Sequence, residues 1–196
     1  MAKLKLMRII IHRGYNQISG CITETQNGGD RILIDFGQNL PDGDGSVNDA
    51  FANEPAVKEL TDGIDAIIYT HYHGDHIGLF EFVPDSVKQY IGKTAKEVLL
   101  YKYEHMTKIP DSEISGKIEV ARDKISKMVE YSHHSRIDIG SIHVIPVFVS
   151  HSAYDSYMLV TEAGGKRVLH TGDFHGHGYL SKGLYKELPR LAKKAF

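Results

Sequence analysis

Four side chains of the kind that bind metal ions lie within six consecutive positions of the sequence: His71, His73, Asp75 and His76. Imidazole nitrogens and carboxylate oxygens suit zinc and its first-row neighbours. Gly74 allows the backbone to turn, so that neighbouring side chains can converge on one point. The order of these residues predicts a metal site, although a solvated histidine-rich loop is the alternative in a chain with 12 histidines.

The spacing within this cluster suggests two ions rather than one. Asp75 and His76 are adjacent in the chain, so they are poorly placed to bind the same ion as His71 and His73. Paired divalent ions about 3.5–4 Å apart are a common arrangement in hydrolytic sites. We therefore expect two ions to share the loop.

Each candidate ligand follows a segment that predicts a β-strand. In chain order, these segments are 31–35, which ends on Asp35 itself, 64–69 before the cluster, 142–150 before His151, and a hairpin over 157–170 before Asp173. Asp35 is a candidate supporting residue, with a turn-capping aspartate as the alternative. Because all these side chains sit at strand ends, we expect them to form a single rim.

The remaining pattern predicts alternating strands and helices after an antiparallel start. Strands are expected over Leu4–His12 and Ile18–Thr25, and the turn Asn27–Asp30 leads into the third strand. Apolar spacing predicts helices over 53–60, 94–108, 115–131 and 185–194. Thr94 fits the N-cap position of the second helix, with Glu97 completing a capping box.

Length and composition predict one domain in a reducing compartment. The 196 residues suffice for one substantial core, and 23 Lys and Arg against 25 Asp and Glu leave no overall basic field for nucleic acid or membrane. Cys21 is the sole cysteine, which excludes an internal disulfide. No apolar stretch approaches the roughly 20 residues that span a bilayer. We therefore expect a cytoplasmic protein without a membrane partner.

The His-x-His-x-Asp-His motif, followed by His151 and by Thr171-Gly172-Asp173, resembles the metallo-β-lactamase fold superfamily. The resemblance covers nearly the whole chain and implies an αββα sandwich over residues 1–196, with two mixed sheets face to face and helices outside. It implies three groups of metal ligands: His71, His73 and His151 for the first ion, Asp75 and His76 for the second, and Asp173 as the bridge. It also implies that Asp35 supports these ligands from behind.

Within the superfamily, the segments 11–14, 32–37, 150–156 and 170–174 are most similar to the β-CASP nucleases, the group that contains ribonuclease J. Two features of that group are absent here: a last histidine for the second ion well beyond the bridging aspartate, and a further domain. His175 and His177 follow Asp173 closely and are alternative ligands. We therefore expect an N-terminal portion of a longer protein, which taken alone binds its second ion weakly, hydrolyses little, and self-associates where a missing segment leaves a sheet uncovered.

The resemblance implies a hydrolase that uses two divalent ions, zinc or alternatively manganese or iron, and a hydroxide bridging them. Asp75 or Asp173 would orient this nucleophile or accept its proton. Nucleic-acid phosphodiesters are the favoured substrates. Three alternatives remain open: hydrolysis of thioesters or other small molecules, a non-catalytic metal-binding module, and a di-iron electron-transfer centre on the same fold.

Overall fold

The computed structural model describes residues 6–46, 49–108 and 112–193. Its strands are Arg8–Arg13 (β1), Ile22–Asn27 (β2), Asp30–Ile34 (β3), Ala66–Ile68 (β4), Lys88–Gly92 (β5), Val129–Tyr131 (β6), Ile137–Ile139 (β7), Ile142–Val149 (β8), Ser156–Ala163 (β9) and Lys166–His170 (β10). Its α-helices are Glu54–Thr61 (α1), Gly74–Ile77 (α2), Lys93–Met106 (α3), Ser112–Lys127 (α4) and Ser181–Lys193 (α5). A 3₁₀ turn covers Phe80–Phe82.

The strands form two sheets. The first has the order β1-β2-β3-β4-β5-β6, with an antiparallel meander over β1 to β3 and parallel pairing from β3 to β6. The second has the order β10-β9-β8-β7. Its described strands pair only antiparallel, so the expectation of two mixed sheets is wrong for the second sheet. Its short connections explain this, because a parallel pairing requires a crossover of a dozen or more residues.

Apolar side chains pack in three layers around these sheets. Residues of β3 and β4 are buried on both faces, as in sheets covered on both sides. The inner layer joins the sheets and includes Ile32, Ile34, Ile68, Val144 and Leu159. One outer layer joins the first sheet to α1, α3 and α4, and the other joins the second sheet to α5. The order helix, sheet, sheet, helix confirms the αββα prediction.

The predicted start of the second strand and the predicted end of the helix over 115–131 need correction. The second strand begins at Ile22 rather than Ile18, because Ser19 and Gly20 have φ values of 90° and 65° that interrupt an extended strand. The predicted helix over 115–131 ends at Lys127, and its last three residues form β6 instead. Pairing of these residues with β5 overrides their helical spacing.

The predicted N-cap of α3 is also wrong. The helix begins at Lys93, so Thr94 lies inside its first turn. The cap is supplied from far along the chain, because Asp155 Oδ2 accepts a hydrogen bond of 2.9 Å from Ala95 N. Asp155 follows β8 in the loop that carries His151, so the cap ties that loop to the first turn of α3.

Residues 6–46, 49–108 and 112–193 contain no helix with the length and hydropathy of a membrane span. The predictions for Leu4 and Lys5, and for residues 194–196, concern positions outside the described residues.

Candidate metal centre

Three histidines converge at the rim of the sandwich. His73 Nδ1 lies 3.2 Å from His71 Nε2 and 3.2 Å from His151 Nε2. A tetrahedral ion with nitrogen ligands at about 2.0–2.1 Å holds those nitrogens about 3.3 Å apart. A single ring nitrogen cannot donate one proton to both neighbours. The geometry therefore fits a three-nitrogen site for a divalent ion.

Different elements deliver these three rings. His71 follows β4, and its Nδ1 lies 3.0 Å from Thr70 Oγ1, which leaves Nε2 free to face the cluster. His73 precedes the first residue of α2. His151 follows β8 in the other sheet, and its buried Nδ1 has no hydrogen-bond partner among the described residues. The ligand-type nitrogens thus meet between the two sheets.

A second cluster lies beside the first and contains His71, His76 and Asp173. Asp173 Oδ2 is 3.5 Å from His76 Nε2 and 3.9 Å from His151 Nε2, so this carboxylate lies between the two clusters, as a bridging ligand must. Asp75 Oδ2 lies 3.8 Å from His76 Nε2. Asp75 is not part of the second cluster, whereas His71 takes part in both. The assignment of these side chains as ligands stays a prediction.

Asp35 contacts the back of this site. Its side chain is fully buried and its φ is 59°. Oδ1 accepts a hydrogen bond of 2.7 Å from Thr70 N, and Oδ2 lies 2.7 Å from His76 Nδ1. The carboxylate thus contacts residues 70–76, hereafter called the metal loop, rather than capping its own turn. It also orients the His76 ring so that Nε2 faces Asp173.

The protonation of the rings differs sharply across the site. Burial lowers the pKa of His71 to about 3, and the nearby positive charge of His76 acts in the same direction. Burial also lowers the pKa of His151. Burial opposes the charge on His76 too, but the Asp35 carboxylate outweighs it and raises the pKa of His76 to about 9. At neutral pH His71 and His151 can offer neutral nitrogens, while an ion at the second cluster must displace a proton from His76.

The backbone of the metal loop rests on a segment that the sequence prediction missed. Asp75 O accepts a hydrogen bond of 3.0 Å from Cys21 N, and His76 O accepts one of 2.7 Å from Phe36 N. A Cβ on Gly37 would lie 1.7 Å from Asp75 O. Cys21, expected only to pack, and Gly37, noted only as a neighbour of Asp35, therefore support the loop. The glycine immediately after an aspartate at a strand end is the signal that could have revealed this contact.

The two alternative ligands remain at the edge of the site. The His175 ring lies 5.3 Å from the His151 ring, and the His177 ring stacks on His175 at 5.0 Å. Neither histidine belongs to the two clusters among the described residues.

Comparisons with known proteins agree with this arrangement. The family model described as "Beta-lactamase superfamily domain" matches residues 30–187. The chain belongs to this superfamily. The superfamily is hydrolytic and generally binds divalent metals, and the nitrogen and carboxylate donors described above suit such ions.

More distant likenesses extend over most of the chain. Integrator complex subunit 11 of Danio rerio is 22% identical over 157 residues, which make up 76% of this chain and 26% of that protein. A crystal structure of a protein of unknown function from Enterococcus faecalis V583 has a TM-score of 0.70 and 20% identity over 95% of this chain and 47% of its own. The metallo-β-lactamase fold protein YhfI from Bacillus subtilis has a TM-score of 0.54 and 16% identity over 85% of this chain and 62% of its own. This chain thus spans less than two thirds of the length of each of these proteins.

Replacing Gly37 with alanine should damage the site. The new Cβ would overlap the Asp75 carbonyl and displace the metal loop, so we expect zinc content to fall several-fold in the purified Gly37→Ala protein. Gly29→Ala is the matched control, because a Cβ there meets nothing within 4 Å. Elemental analysis of both variants makes the comparison. Equal zinc content in the two variants would show that the close contact between Gly37 and the Asp75 carbonyl does not position the metal loop.

The ion-free protein should be most stable near pH 6.5. Charged His76 contributes stability that is fully present below its unfolded pKa of about 6.5 and is lost as the pH rises through about 9. Neutral His71 acts in the opposite sense, because below about pH 6.5 the unfolded chain gains a proton that the folded chain excludes until about pH 3. Each proton changes the free energy of unfolding by about 1.4 kcal/mol per pH unit.

Urea unfolding in the presence of a chelator, at pH values from about 5 to 9.5, measures how the free energy of unfolding falls on the acid limb and on the alkaline limb of the stability curve. His76→Gln should flatten the alkaline limb, and His71→Asn should weaken the acid limb. An alkaline limb of unchanged slope in His76→Gln would show that His76 does not carry the raised pKa.

Proposed function

We propose that this chain hydrolyses nucleic-acid phosphodiester bonds with the help of two divalent ions, most naturally zinc. The observation that carries the proposal is the convergence of three histidine nitrogens beside the Asp173 carboxylate, with His73 Nδ1 3.2 Å from each of the other two. His71, His73 and His151 would hold one ion. His76 and Asp75 would hold the other, with Asp173 shared.

The chemistry divides between the ions and the side chains. Bound divalent ions supply a hydroxide nucleophile at neutral pH and polarise the phosphoryl oxygen. Asp173, at the junction of the clusters, would orient the attacking water, and Asp75 or Asp173 would accept its proton. Asp35 fixes the His76 ring through Nδ1, so that Nε2 is directed at the junction.

Exposed aromatic rings beside the site favour a nucleic-acid substrate. Tyr154, three residues after His151, is 66% exposed, and Phe174, next to Asp173, is 38% exposed. Tyr154 is nevertheless held in place, because its backbone N donates to Tyr72 Oη at 3.1 Å and its ring packs against Phe148 at 6.1 Å. Aromatic side chains of this kind are stacking surfaces for the bases of single strands.

A cavity favours the second candidate, hydrolysis of a small apolar ester or thioester. It has a volume of about 390 Å³ and reaches His76 and Asp173. Its walls include Ile9, Ile11 and Val168, so it could accept an apolar acyl group next to the reacting bond.

Two phosphodiesters that differ only in the nucleoside, together with an acyl thioester, decide between these two candidate functions. We expect the zinc-loaded chain to hydrolyse thymidine 5′-(p-nitrophenyl phosphate) faster than methyl p-nitrophenyl phosphate, and to leave an acyl thioester intact. Tyr154→Ala should reduce only the preference for the nucleoside, by about tenfold, which corresponds to the roughly 1–3 kcal/mol of a base–aromatic stack. Steady-state rates on the three substrates measure this.

Two variants connect the activity to the site. His73→Ala should lose both zinc and activity, whereas His143→Ala should retain both, because His143 pairs with the exposed Asp138 at 2.5 Å, away from the clusters. Thioester turnover without phosphodiester turnover would favour the second candidate. Full zinc content in His73→Ala would reject the ligand assignment itself.

A further inference from the structure

We propose that Arg13 is a positioning residue for the second ion: its guanidinium sets the place of the Asp75 backbone without touching either metal cluster. The inference rests on the proposed two-ion function. It assigns a role to a buried arginine that neither the motif nor the ligand set includes.

Arg13 donates in three directions from a nearly buried position. The side chain is 8% exposed. Nε donates to Gly20 O at 2.7 Å, one terminal nitrogen donates to Asp49 Oδ1 at 2.6 Å, and the other donates to Gly37 O. The guanidinium also lies over the Phe51 ring at 4.9 Å from its centroid. This planar fork therefore fixes two carbonyl groups in relation to each other, a task that a lysine ammonium cannot perform.

The two carbonyl groups belong to the segments that hold the metal loop. Gly20 precedes Cys21, whose N donates to Asp75 O at 3.0 Å. Gly37 N donates to Cys21 O at 3.1 Å, and the Gly37 Cα faces the Asp75 carbonyl so closely that no side chain fits there. Arg13 thus acts on both segments that contact the Asp75 backbone, one residue before His76.

Asp49 keeps the guanidinium from turning. Besides the bond from Arg13, its carboxylate accepts hydrogen bonds from Asn39 N at 2.7 Å and from Phe51 N at 2.9 Å. The Asp49 side chain is fully buried. The guanidinium of Arg13 has only one orientation that satisfies both this anchored carboxylate and the two carbonyl groups.

The contacts of Arg13 predict a selective effect on the two ions. The segments that it fixes touch the backbone of Asp75 and its neighbours, whereas the first cluster is held by His71, His73 and His151 from the ends of β4 and β8. Loss of the Arg13 guanidinium should therefore weaken binding of the second ion and leave binding of the first ion unchanged. If Arg13 were purely structural, its replacement would weaken the binding of neither ion, or would weaken the binding of both through partial unfolding.

Arg31 provides the matched control. Like Arg13, it pairs with a buried carboxylate, donating from Nε to Glu24 Oε1 at 2.7 Å, and it donates to a carbonyl, Asp62 O, at 2.8 Å. It lies in the same sheet, but its partners belong to β2 and to the end of α1 rather than to the segments under the metal loop.

Cobalt titration of the ion-free chain, followed by visible absorption and by calorimetry, tests the inference. The wild-type chain should bind Co²⁺ in two steps. Arg13→Lys should weaken the second step at least about tenfold, the range found for residues that orient ligands, and change the first less than about twofold. Arg31→Lys should change neither step, although urea unfolding should show that both variants lose stability. Asp49→Asn, which frees the fork, should reproduce the Arg13→Lys pattern in milder form.

The outcomes separate this inference from the function on which it rests. Two steps in the wild type, with Arg13→Lys indistinguishable from Arg31→Lys, would overturn the inference alone. Equal weakening of both steps in Arg13→Lys and Asp49→Asn would also overturn it, since the effect would then be general. A single step in the wild type would overturn the two-ion proposal and this inference with it.

Discussion

The carboxylate of Asp35 is the interaction on which the site depends. A fully buried charge costs several kcal/mol unless it is paired and hydrogen-bonded. Asp35 meets this demand with Thr70 N, Thr70 Oγ1 and His76 Nδ1. Burial would raise the pKa of Asp35, but the His76 charge and its hydrogen bond outweigh burial and hold that pKa below its usual range. The same contacts that satisfy this charge therefore join the end of β3 to the metal loop.

The positions of the candidate ligands depend on the hydrogen bonds that hold the metal loop from behind. Thr70 transmits the Asp35 contact to His71, because its Oγ1 lies 3.0 Å from His71 Nδ1. On the other side, the Cys21 and Phe36 amides hold the carbonyls of Asp75 and His76. The contacts behind the loop thus fix its backbone and the rings of His71 and His76. Residues that orient metal ligands in this way strengthen metal binding.

Sequence reasoning succeeded where the signal was local. The strand segments before Asp35, His71, His151 and Asp173 were predicted from apolar content and turn residues, and the expected meeting of these side chains at one rim followed from their position at strand ends. It failed where a partner far along the chain decides the outcome. Asp155 caps α3 in place of Thr94, pairing with β5 turns residues 129–131 into a strand, and the guanidinium of Arg13 selects carbonyls at Gly20 and Gly37. No periodicity encodes such contacts, because they depend on the folded arrangement of the two sheets.

The two-ion proposal depends on His71, His73 and His151 binding one ion through three nitrogens. X-ray absorption at the zinc edge, on the chain loaded with one equivalent of Zn²⁺, tests it most directly. We expect about three nitrogen scatterers near 2.0–2.1 Å with the outer-shell pattern of imidazole rings, and a loss of one ring in His151→Ala. A first shell made of oxygen alone, or a spectrum unchanged in His151→Ala, would contradict it.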